Sequence, residues 1–178
     1  MTYSSINPTT EHRIQSFSFT SSTQLKEVSH QLMRTFFETR FESIEQRIDR
    51  IILLKQLFIP HRERFARCIS SEMGKPYRQS LNEIDKCIGL CDYYIDHGLS
   101  LLQAYQSDSQ YIEPLGVILA IMPWNYPLWQ IFRVLIPQLF IGNVILFKPA
   151  LNTAGVTELL AETLSSIESV SFLRLSND

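Results

Sequence analysis

Leu115-Gly116-Val117-Ile118-Leu119-Ala120-Ile121-Met122-Pro123-Trp124-Asn125-Tyr126-Pro127 is the stretch on which the architecture turns. Leu115 to Met122 is a short apolar run rich in β-branched residues, with the length and composition of a strand buried on both faces. Pro123 to Pro127 breaks it. Pro127, with its preset φ and missing N–H, suits the first turn of a helix. That helix is expected to run to about Ile141, where Gly142-Asn143 makes a turn. Val144 to Phe147 then reads as a second buried strand and Ala154 to Ile167 as a further helix. Strand, helix, strand, helix, with continuous apolar strands, is the pattern of a parallel sheet in an α/β fold. Two such units are only part of a sheet, and they would leave a strand edge exposed.

Upstream the chain changes character. Before about residue 110 it is charged and helically periodic, which divides it into a helical part, 1–110, and the sheet-forming part, 111–178. Leu25, Val28, Leu32 and Phe36 recur at spacings of 3, 4 and 4, the apolar stripe of an amphipathic helix. Ser43 with Gln46 is a capping-box pattern, and Ile44, Ile48 and Ile51 lie along one side of the helix it opens, with Lys55 as the polar end of the row. A third, short helix from about His61 stops at Gly74, with Pro76 just beyond. A fourth, long helix carries Leu81, Ile84, Ile88, Cys91, Ile95 and Leu99 on one face.

The 178 residues are 45% hydrophobic and 19% charged, and 16 basic against 18 acidic residues give a net charge of −2. That is room for one ordinary domain with a real core. The charge balance points to neither nucleic acid nor a membrane surface as a partner. From Leu115 to Phe147 there is a single formal charge, Arg133, but Pro123, Asn125, Pro127, Gln130, Pro137, Gln138, Gly142 and Asn143 interrupt the run. A spanning helix needs about 20 apolar residues in succession, so this is not one. Met1 to Gln15 is polar and lacks the apolar core of a secretory signal. Three cysteines without a signal argue for a reducing, cytoplasmic setting and against a disulfide framework.

Candidate chemistry gathers around the Pro-Trp-Asn turn. It lies between the carboxyl end of a strand and the start of a helix, and in open parallel sheets that crevice is where ligands bind. Asn125 offers an NH₂ donor that could stabilise a developing oxyanion; equally, it could cap the following helix, and position alone does not choose. Lys148, at the end of the second strand, suits a ribose or phosphate, although an ordinary strand-end lysine reaching solvent fits its spacing better. Arg133 is a guanidinium within an uncharged stretch. It must face solvent, pair with an acid, or grip an anionic ligand, because an unpaired buried charge is costly. Cys87 and Cys91 sit one turn apart but cannot complete a zinc site, and with Cys68 they read as packing residues. The four histidines are scattered on polar segments and read as surface residues. No G-x-G-x-x-G or P-loop pattern occurs.

The run from Pro114 through Pro127, followed by Gly142-Asn143-Val144-Ile145-Leu146-Phe147-Lys148-Pro149-Ala150, resembles two consecutive N-terminal motifs of aldehyde dehydrogenases. Glu72-Met73-Gly74-Lys75-Pro76 with Glu83 and Tyr93-Tyr94, and Ile6-Asn7-Pro8-Thr9 near the start, resemble the same family in the right order. The resemblance implies an α/β fold in which an N-terminal helical segment precedes an incomplete Rossmann-like parallel sheet (β-α-β-α). It implies NAD(P)-dependent oxidation of a small-molecule aldehyde to the carboxylic acid, with NAD or NADP as cofactor. By the same resemblance Asn125 matches the oxyanion-hole asparagine. Met122, Pro123 and Trp124 match the backbone segment along the dinucleotide, and Lys148 the lysine at the adenosine ribose. Arg133 falls where succinate-semialdehyde dehydrogenases hold the substrate's free carboxylate, and Pro127-Leu128-Trp129-Gln130 is also most similar to that bacterial subgroup. Three residues after Lys148, where many NAD-preferring members carry a glutamate, stands Leu151, which leaves NAD against NADP open.

The departure from the family pattern is large. Its glycine-bearing cofactor turn, general-base glutamate and catalytic cysteine lie downstream of this stretch, and all three cysteines here precede Asn125. Without a thiolate nucleophile the covalent step cannot occur, so these 178 residues alone are expected to be inactive. The alternative is a catalytically dead fragment acting as an interaction partner of a full-length homologue. A homo-oligomer is expected only for the full-length family member.

Overall fold

A computed structural model describes residues 2–104 and 112–176; the expected boundary near residue 110 lies outside them. The chain opens on an antiparallel ribbon, β1 (Thr2–Ile6) paired with β2 (Arg13–Ser18). Asn7 makes its turn by accepting the Thr9 and Thr10 N–H groups on Oδ1. No strand is expected here from the sequence; with this ribbon the part before residue 110 is not helical throughout.

Four helices follow: α1 (Ser22–Thr39), α2 (Ile44–Phe58), α3 (Arg62–Met73, after a 3₁₀ turn at 59–61) and α4 (Tyr77–Gln103). Reciprocal capping boxes start the first two, Ser21 with Gln24 and Ser43 with Gln46. Gly74 ends α3 in the left-handed conformation, as the Gly-x-Pro signal implies. The apolar stripes are less tidy than the spacing suggests. In α2 the buried row is Arg47, Ile51, Leu54 and Phe58, one position round from the expected one, and on α4 Leu99 is exposed while Cys87 is buried.

The second part is β3 (Val117–Ile121), α5 (Pro127–Ile141), β4 (Val144–Lys148), α6 (Ala154–Thr163) and β5 (Val170–Phe172). The three strands form a parallel sheet in the order β3-β4-β5, with Val117 opposite Val144 and Ile145 opposite Val170. The tail thus adds a third strand to the expected β-α-β-α series, and α6 ends four residues early. Alternate residues of β4 serve two cores. Ile145 and Phe147 join the larger one with helices α2–α6, where Phe58 meets Phe65 and Phe132 at centroid distances of 4.9 and 4.6 Å. Val144 and Leu146 join a smaller one with Leu32 and Phe36 of α1.

β3 corrects the expectation of burial on both faces. Ala120 joins the larger core, but Leu119 and Ile121 on the opposite face are 59% and 69% exposed. Val117, on that same face, packs against the smaller core, and α1 covers the strand no further along. Among the described residues no helix is long and apolar enough to cross a membrane.

Candidate functional site

The carboxyl ends of β3 and β4 are tied together, with Ile121 opposite Lys148 and the Met122 N–H donating to the Lys148 carbonyl at 3.0 Å. Beyond them opens a crevice of about 450 Å³ lined by Ile121, Met122, Pro123 and Trp124 on one side and Lys148, Ala150, Leu151 and Asn152 on the other. Four of the residues singled out in the sequence, Met122, Pro123, Trp124 and Lys148, therefore share one site. Trp124 is exposed and Lys148 half-buried.

Asn125 follows directly and is exposed. It does not cap α5. The residue preceding that helix is Tyr126, in the left-handed conformation at φ 57, and no side chain of the turn caps the helix. The capping acceptor comes instead from α4: Glu83 Oε1 accepts the Leu128 and Trp129 N–H groups at 2.9 and 3.0 Å. Pro127 has no N–H to satisfy, so this one oxygen meets the needs of the first turn. Glu83 is 2% exposed, and its other oxygen pairs with Lys75. Lys75 Nζ also stands 3.6 Å from the centroid of the Tyr126 ring, and Lys86 Nζ 3.9 Å from that of Trp129. The sequence motif that contains Lys75 and Glu83 does not by itself assign either a role. The available signal is a carboxylate one turn from Cys87 on the buried face of α4.

Three further helix ends are held by buried charged side chains from elsewhere in the chain. Glu72 of α3, also buried, accepts the Gly155 and Val156 N–H groups of α6 at 2.8 and 3.0 Å. Burial pushes its carboxyl up, against the opposing pull of those two amides. At the far end of α5, buried Arg47 donates to the Ile141 carbonyl at 2.5 Å and to that of Arg40, at the end of α1, at 3.2 Å. Acid at the amino end and base at the carboxyl end are the signs that the helix dipole favours.

Arg133 is exposed, which removes the physical argument from a buried unpaired charge. Its Nη1 lies 3.5 Å from Gln130 Oε1, one turn back along α5. Helical side chains lean toward the amino terminus, so the guanidinium projects toward the Asn125 end of the helix.

The three thiols are not part of this site. Cys87 and Cys91 are buried on α4, and Cys68 packs half-buried on α3 with Glu72 at 3.9 Å. Burial pushes Cys68 and Cys91 up to about 12, helped by Glu72 and Asp92 respectively. It drives Cys87 well above its ordinary value, with Glu83 adding to the effect. None is a thiolate near neutral pH. Of the histidines, His12, His30 and His97 are exposed and His61 is half-buried.

A strand end, a Pro-Trp-Asn turn and a helix capped from α4 adjoin one crevice. Residues 1–169 match the model of the aldehyde dehydrogenase family, and the chain belongs to that family. It is 34% identical over 164 residues to the succinate semialdehyde dehydrogenase [NAD(P)+] Sad of Escherichia coli (strain K12), covering 89% of this chain and 36% of that protein. It is 30% identical over 174 residues to a succinate-semialdehyde dehydrogenase [NADP(+)] of Mycobacterium bovis (strain BCG / Pasteur 1173P2), covering 93% and 38%. A solved succinic semialdehyde dehydrogenase from Streptococcus pyogenes, in complex with NADP+, superimposes with a TM-score of 0.86 at 26% identity, over 99% of this chain and 41% of that one. The chain thus spans little more than a third of the length of these relatives.

Proposed function

We propose that this chain forms the oxyanion-donor and dinucleotide edge of an NAD(P)-dependent dehydrogenase that oxidises succinate semialdehyde to its acid. The observation that carries this is Asn125, an exposed carboxamide released from helix capping by Glu83 and adjoining the Lys148 crevice. Its NH₂ is free to donate to an aldehyde oxygen as negative charge develops there.

The crevice suits a dinucleotide at its adenosine end. An apolar wall faces a cation, and the first-turn amides of α6, a type of site that takes phosphate when open, already belong to Glu72. Met122, Pro123, Trp124 and Lys148 would hold the cofactor, NAD or NADP, with Leu151 placing no carboxylate against the ribose. The dinucleotide, when bound, supplies the hydride acceptor. Arg133, with its planar fork directed back along α5, supports a substrate carrying a carboxylate at the end away from the aldehyde.

In the enzyme that carries this segment, Arg133→Ala should raise KM for succinate semialdehyde by about tenfold to a hundredfold, the worth of a charge-assisted pair. KM for an uncharged aldehyde of similar length should hardly change. Steady-state kinetics on both substrates decides this, and equal effects would remove the substrate assignment.

The 178 residues by themselves should form no NAD(P)H from any aldehyde, because their thiols are protonated and none lines the Lys148 crevice. Cys87 and Cys91 should resist a thiol reagent until the chain is unfolded, with Cys68 reacting slowly. Turnover surviving rigorous purification, or rapid labelling of all three thiols in the folded chain, would contradict this.

A further inference from the structure

Tyr126 holds a left-handed backbone conformation that is strained for a non-glycine residue, and such strain persists only where the surroundings over-determine it. Two contacts do so here. The buried Glu83 carboxylate fixes the amides two and three residues after Tyr126, and Lys75, whose side chain is 9% exposed, pairs with that carboxylate and stacks on the Tyr126 ring. Lys75 is itself held between the left-handed Gly74 and Pro76, at the junction of α3 and α4. The residue immediately before this clamped segment is Asn125.

We infer that Glu83, neutralised by Lys75, is a positioning residue that sets where the Asn125 carboxamide stands by fixing the Tyr126–Trp129 backbone from α4. This rests on the reading of Asn125 as the oxyanion donor. The device has a particular chemistry. A single oxygen accepts both amides, so a glutamine could still accept them, but its NH₂ would then face the Lys75 ammonium. Glu83→Gln alone should therefore disturb the turn, and Glu83→Gln together with Lys75→Met should largely restore it.

The first test is amide hydrogen exchange on the 178-residue chain, followed residue by residue. Glu83→Ala should accelerate exchange at Leu128 and Trp129 by about tenfold or more, the loss of one net hydrogen bond each, with the amides of Asn125 and Tyr126 shifting as well. Ile145 and Phe147 in β4 should be unchanged, and the Gln/Met pair should recover protection at Leu128 and Trp129. Unchanged exchange at Leu128 and Trp129, or equal acceleration throughout β4, would overturn the local clamp.

The second test uses the enzyme that carries this segment. Glu83→Ala should lower kcat by about 10²-fold, as a small misplacement of a catalytic group can, while leaving KM for the aldehyde in place. The Glu83→Ala/Asn125→Ala double variant should be no slower than Asn125→Ala alone. Losses that multiply, or a change confined to KM, would overturn the positioning role. If Asn125→Ala itself leaves kcat untouched, the oxyanion reading falls and the positioning role falls with it. The exchange result then judges the backbone clamp separately.

Discussion

Asn125→Ala should lower kcat for aldehyde oxidation by about 10²- to 10³-fold in the enzyme that carries this segment, the usual cost of deleting one oxyanion donor. The Asn125 carboxamide is not engaged in holding the fold. A helix-capping asparagine would spend its side chain on the first turn of α5, and there the substitution would show as lost stability. In this chain Glu83 meets the Leu128 and Trp129 amides, so Asn125→Ala should leave the melting temperature close to that of the parent. KM should change little, because the donor is needed most as charge develops on the oxygen. Kinetics and a thermal melt on the same preparation separate the possibilities. A large drop in Tm with kcat preserved would return Asn125 to a structural role.

The largest stability effect should come from Gly142→Ala. Gly142 ends α5 at φ +99, where a side chain is strained, and a Cβ there would lie 2.7 Å from Cζ and 2.9 Å from Nε of Arg47. Arg47 cannot move aside cheaply, since it is buried and bonded to the Ile141 and Arg40 carbonyls. Strain of about 1–2 kcal/mol and the disturbance of two buried hydrogen bonds, about 1–3 kcal/mol each, place the cost at about 3–8 kcal/mol. That is a large share of a typical folding free energy and about 10 °C or more in Tm for a chain of this length. Gly89→Ala is the control, because a Cβ at that helical position meets nothing within 4 Å, and it should stabilise by about 0.5–1 kcal/mol. A melt in which Gly142→Ala costs no more than Gly89→Ala would refute the claim that Arg47 locks this helix end.

What could be read from the sequence follows from what kinds of signal a sequence carries. The helix stripe at Leu25–Phe36, the Ser43–Gln46 box, the Gly74 stop, the Pro127 start and the uniformly apolar Val144–Phe147 strand are local patterns, and the structure has each of them. The β1–β2 ribbon was invisible because it is mostly exposed: its six-residue second strand buries only Phe17, so no alternation marks it. The three residues of β5 were too few to stand out. One-sided exposure of β3 depends on how far α1 extends over the sheet, which no local pattern encodes.

At the site, the crevice residues were legible because the Pro-Trp-Asn turn and the Lys-Pro strand end are distinctive. The partners of Glu83 were not. Forty-five residues separate it from Leu128, and a carboxylate in an apolar stripe says that it needs donors without saying which. Arg47 posed the same problem in α2, where it displaced the expected stripe by one position. Arg133 was visible as a charge in an uncharged stretch, but the sequence could not tell that its side of α5 faces outward.

The anchoring of α5 at its two ends has a consequence for how such a protein can change over evolutionary time. Glu83 and Arg47 hold the ends from elsewhere in the chain, and the buried side, Leu128, Ile131, Phe132, Leu135 and Leu139, holds the length. Gln130 and Arg133 on the outer side carry little of that duty. On the proposed reading of Arg133, substitutions there would retune which molecule is admitted while foldability is left nearly untouched, so selectivity and stability would be free to drift on separate sets of residues.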